Sequence, residues 1–94
     1  MSNKDQILNT IKQVLSDYTG LDVEEIDLHE HLEEDLLLDL GTELPRVIMS
    51  TAAELNLNLE NEALSSFLAD LAEDPDKSTV AELLAFFQEE MDLG

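Results

Sequence analysis

Val80, Leu83, Leu84, Phe87 and Met91 recur at i, i+3, i+4, i+7 and i+11. That spacing puts all five on one face of an α-helix, and a strand cannot use it, because strand side chains change face at every residue. Thr79 and Glu82 stand at capping-box spacing and mark where this helix opens. The same spacing of three and four occurs three more times. Ile7, Leu8, Ile11, Val14, Leu15 and Tyr18 predict a helix over about residues 3 to 18, with Ser2 and Asp5 as a capping pair and Gly20 just past its end. Leu44, Val47, Ile48 and Leu55, with Ala52 and Ala53 between them, predict a helix over 43 to 55. Thr42 is its expected N-cap, and Pro45 falls in its first turn, where a missing N–H costs no intrahelical bond. Leu64, Phe67, Leu68 and Leu71 predict a helix over 60 to 72 that must stop before Pro75. The expected fold class is all-α, a small four-helix bundle. A chain of 94 residues closes one modest core, so residues 1–94 are read as a single domain.

Between Leu21 and Leu40 the helical period fails. Val23 to Ile26 suits one short turn, while Leu28, Leu32 and Leu36 are spaced irregularly among carboxylates, as in a long loop pinned by apolar anchors between the first two helices. Leu36, Leu37 and Leu38 have two readings: a plug under the loop, or a plug with a leucine or two left outside, beside Leu40, as a docking patch. From Asp22 to Glu43 there is no Lys or Arg.

Charge sorts the functions. Twenty-three Asp and Glu against four Lys and Arg give a formal charge of −19, which repels nucleic-acid phosphates and anionic lipid and attracts basic protein surfaces. A hydrophobic fraction of 44% belongs to a folded globule, not to an acidic tail. There is no cysteine, which removes thiolate metal sites and thiol nucleophiles. His29 and His31 alternate along the chain and lack a third orienting ligand, so no metal site is expected. Nothing marks a cleft that would split the pKa values of two carboxylates, and no catalytic residue is expected. No signal-peptide pattern or run of about 18 apolar residues occurs, which leads to the expectation of a soluble, cytoplasmic monomer without membrane insertion.

Read in order, the segments Ile11-Lys12-Gln13-Val14-Leu15, Gly20-Leu21, Glu24-Glu25-Ile26 and Leu32-Glu33-Glu34-Asp35-Leu36, followed by Val47-Ile48-Met49, Glu54-Leu55 and Thr79-Val80, resemble the acyl carrier protein family. Members of that family hold 4′-phosphopantetheine on a serine at the mouth of their second helix. The resemblance covers nearly the whole chain, with extra residues around 65 to 77. It implies first, second and last helices packed along one another, with the third shorter and set at an angle. It also implies partners among enzymes of fatty acid biosynthesis or other acyl-chain or aminoacyl metabolism, met through acidic residues.

Two departures shape the expected function. The family's Asp-Ser-Leu attachment motif falls on Asp39, Leu40, Gly41 and Thr42, and every register puts Leu40, Gly41 or Leu44 where the serine oxygen belongs. No cofactor is therefore expected, unless 4′-phosphopantetheine has a non-standard attachment; the nearby Thr42 hydroxyl is read as a cap. The second helix carries Pro45 and Arg46 among its acidic residues, and the carboxylates concentrate in the loop before it. The expected partner-facing set is Glu33, Glu34, Asp35, Glu43, Arg46 and Val47. The reading is an acidic, non-catalytic domain that docks onto acyl-chain enzymes without carrying a prosthetic group. The alternative is an acidic interaction module or DNA mimic that occupies the basic groove of another protein.

Overall fold

The four apolar stripes become four helices. A computed structural model describes residues 3–93, and within them the chain runs α1 (Asn3–Thr19), a 3₁₀ turn (Val23–Glu25), α2 (Glu43–Glu54), α3 (Asn61–Glu73), a second 3₁₀ turn (Pro75–Lys77) and α4 (Val80–Leu93). The expected Ser2–Asp5 capping pair lies outside the described residues. Helix ends follow local chemistry. α1 stops where Gly20 takes φ +81° and returns its N–H to the Ser16 carbonyl at 2.9 Å. α2 ends in a Schellman motif with Asn56 in the left-handed position (φ 56°): Leu57 N–H reaches the Ala52 carbonyl and Asn56 N–H the Ala53 carbonyl. At α4, Thr79 Oγ1 accepts the Glu82 N–H at 3.3 Å, the N-cap half of the expected box.

One buried cluster holds the helices together. The α1 residues Ile7, Ile11, Val14 and Leu15 meet Val80, Leu83, Leu84 and Phe87 of α4 and Leu44, Val47, Ile48 and Ala52 of α2, all in the core. α1 packs most closely with α4 and α2, and α3 touches α2 more sparingly. Leu71 is the one α3 residue that is fully buried, while Leu64, Phe67 and Leu68 are half-buried. α3 has 13 residues against 12 in α2, so the expectation of a shortest third helix is corrected. Nothing in its sequence stops the helix until the approach to Pro75.

The connection from Gly20 to Thr42 is ordered by burial and by long-range hydrogen bonds. Ile26, Leu32, Leu36 and Leu38 insert into the core. Leu32 N–H donates to the Ser78 carbonyl at 2.8 Å; in return Val80 N–H donates to the Glu30 carbonyl at 3.1 Å and Ala81 N–H to the Leu28 carbonyl at 3.0 Å. The connection thus satisfies donors that the first turn of α4 would otherwise leave without partners. His31 and Thr79 form an isolated antiparallel bridge at this crossing. No helix among the described residues is long and apolar enough to cross a membrane.

Candidate functional site

The acidic connection enters α2 through a turn organised by Asp39. One oxygen of its carboxylate accepts the Gly41 N–H at 3.0 Å, the Thr42 N–H at 2.9 Å and the Thr42 hydroxyl at 2.9 Å. Its carbonyl accepts the Glu43 and Leu44 N–H groups at 3.0 and 2.9 Å, and Glu43 Oε1 reaches back to the Asp39 N–H at 3.3 Å. Asp39 therefore holds the backbone donors on both sides of the α2 entrance, Gly41 and Thr42 through its carboxylate and Glu43 and Leu44 through its carbonyl. Thr42 holds the N-cap position, as expected, but the expected side-chain cap bond is corrected: its hydroxyl donates to Asp39 and makes no cap bond of its own. A carboxylate takes two N–H donors and a hydroxyl together, which one hydroxyl oxygen cannot do, and its charge suits a helix N-terminus.

Just upstream the chain folds tightly. Asp35 and Leu36 N–H groups both donate to the His31 carbonyl at 3.0 Å, Leu38 N–H donates to the Leu32 carbonyl at 2.9 Å, and the Asp35 carboxylate accepts the His31 N–H at 2.8 Å. His31 Nδ1 lies 3.5 Å from the same carboxylate. His29 is exposed, and no group of three or more His, Asp or Glu side chains comes together in a metal-holding arrangement among the described residues. The three consecutive leucines divide: Leu36 and Leu38 are buried, and Leu37 points outward, 78% exposed, on a left-handed backbone at φ 58°. A non-glycine residue there costs roughly 1–2 kcal/mol, so the turn holds a large apolar side chain in water on strained backbone.

The expected site residues separate in the same way. Glu33, Glu34, Asp35, Asp39, Gly41, Thr42 and Arg46 are exposed, and Glu43 and Leu40 are half-buried. Val47 is wholly buried in the core and cannot touch a partner, which corrects its place in the partner-facing set. The α2 stripe carries it inward with Leu44 and Ile48. Leu44 is equally buried, so of the three serine registers it is the one that would hide a hydroxyl. Gly41 is the most open: a Cβ added there meets only Asp39 Oδ2, at 3.4 Å. Sequence reasoning did not single out Leu37 from its neighbours, and the signal for it, alternation within three identical residues, carries no contrast to read.

No family model matches this chain, and comparison with curated proteins and with solved structures gives no match to either.

Proposed function

We propose that this chain is an acidic docking domain of carrier-protein type, which engages basic surfaces of enzymes of acyl-chain or aminoacyl metabolism and carries no covalent 4′-phosphopantetheine. The observation that supports this reading is Leu37, an exposed apolar side chain displayed among Glu33, Glu34, Asp35 and Asp39 directly before α2. Carboxylates steer a basic partner and fix its orientation; a desolvated leucine supplies the contact that holds it. The absence of an attachment point rests on chemistry. Esterification needs an oxygen at the mouth of α2, and Leu40, Gly41 and Leu44 have none to offer.

Intact-mass measurement after incubation with coenzyme A and a broad-specificity phosphopantetheinyl transferase tests the proposal. The wild-type chain should stay unmodified, and Gly41→Ser, at the most open position, should gain one phosphopantetheine. Leu40→Ser is the less favourable variant because the site is half-buried. A mass shift on the wild type that maps to Thr42 or Ser50 overturns the assignment of the chain as a non-carrier. Failure of both serine variants removes the carrier-type reading and leaves a general acidic interaction module.

A further inference from the structure

We propose that the groove between α3 and α4 is a second docking site, separate from the acidic connection, and that it takes a basic amphipathic helix from a partner protein. Its origin lies in how α3 is seated. The backbones of α3 and α4 do not approach closely along their lengths. The two helices meet instead through rings: Phe67 stacks on Phe86 with centroids 4.3 Å apart and planes at 17°, and Phe86 in turn meets Phe87 edge-on at 5.3 Å and 72°. Phe87 belongs to the core, whereas Phe67 and Phe86 are half-buried. Side-chain contact without backbone contact leaves a channel along the seam. It consists of three adjoining hollows of about 880, 340 and 390 Å³, neighbours sharing Ala63, Ser66 and Glu90 or Phe67, Asp70 and Glu82.

The floor is apolar, formed by Leu57, Ala63, Phe67, Phe86 and Met91, and the walls carry Glu62, Asp70, Glu82, Glu89 and Glu90. Lys77, at the far end, is the one cation lining it among the described residues. An aromatic floor between carboxylate walls is the complement of a helix with large aliphatic side chains on one face and Lys or Arg on either side. The length agrees, since 13 residues of α3 span about 20 Å, enough for a partner helix of three to four turns. Charge rules out the other occupants. A second copy brings another −19 and its own carboxylate walls, and a phosphate-bearing ligand is repelled in the same way.

The probe is a fourteen-residue amphipathic peptide of leucine and lysine with one tryptophan. This chain has no tryptophan, so emission reports the peptide alone. Ser65 and Ser66 are adjacent and both exposed, but only Ser66 lines the groove. Ser66→Lys and Ser65→Lys therefore change net charge and helix composition identically and differ only in where the cation stands. We expect Ser66→Lys to weaken peptide binding roughly tenfold or more and Ser65→Lys to change it by less than about twofold, with unchanged far-UV circular dichroism for both. Equal weakening by the two variants overturns the proposal, because it shows attraction to net charge alone. So does equal binding of a scrambled peptide of the same composition, or no binding to the wild type. Amide chemical-shift changes confined to residues 22–43 also overturn the groove, and they leave the docking role of the acidic connection standing.

Discussion

Replacing Leu37 by glycine should change stability only between a loss of about 0.5 and a gain of about 1 kcal/mol, an unusual expectation for deleting a leucine. Three magnitudes decide it. Left-handed backbone costs leucine roughly 1–2 kcal/mol, which glycine does not incur. Glycine's freer unfolded chain takes back about 0.5–1 kcal/mol. With 78% of the side chain already in water, the burial forfeited is about a quarter of a full leucine, roughly 0.5 kcal/mol. The neighbours set the contrast: Leu36→Ala and Leu38→Ala empty core positions and should each cost about 2–4 kcal/mol. Urea unfolding followed by far-UV circular dichroism measures all three. Partner binding should fall in Leu37→Gly while the fold is kept, as when strain is retained for function. A loss of more than about 1 kcal/mol in Leu37→Gly would refute the reasoning, since it would show the side chain packed against the protein. Unchanged binding would remove Leu37 as an anchor.

Three further outcomes can be checked by the same unfolding measurements. Asp39→Ala should cost about 1–2 kcal/mol, because it leaves two backbone N–H groups and the Thr42 hydroxyl without their acceptor; Thr42→Val should cost clearly less. Ser78 is buried, and its hydroxyl has no hydrogen-bond partner among the described residues, so Ser78→Ala should be neutral or stabilising by about 1 kcal/mol, and a large loss would reveal a bond to that oxygen. Raising ionic strength from about 0.01 to 0.15 M shortens the screening length from roughly 30 to 8 Å and should raise the thermal midpoint, because repulsion across a charge of −19 is relieved; a flat response would mean the carboxylates are already well separated.

The helices were legible because each stripe had to find one core, and a run such as Val80, Leu83, Leu84 and Phe87 has a single way to do so. Their ends were legible where one residue type is demanded, as at Gly20. α2 starts at Glu43, as its stripe predicts, but which side chain holds the N–H groups at that entrance was not legible. Asp39 and Thr42 are both good capping residues, and a choice between them depends on how the preceding turn winds, which only the backbone of residues 39 to 44 decides. Partial burial of α3 was hidden as well: Leu64, Phe67, Leu68 and Leu71 have core spacing, but how far they sink depends on the distance of α3 from α4. Hydrogen bonds between the connection and the start of α4 leave no trace in either segment, because they join main-chain atoms.

Those bonds bear on the order in which the molecule can form. The partners of Leu28, Glu30 and Leu32 lie at Ala81, Val80 and Ser78, roughly fifty residues further along. Such distant pairings must overcome loop-closure entropy before they contribute anything, and they form late. During synthesis, α1 and α2 can leave the ribosome and begin to associate while the acidic segment between them still lacks the edge it is stitched to. Its carboxylates and Leu37 are then borne on a connection held by its local turns alone. The surface proposed for docking is anchored only when α4 arrives, so a chain cut before Ser78 would keep most of its charge while lacking the edge that fixes the connection.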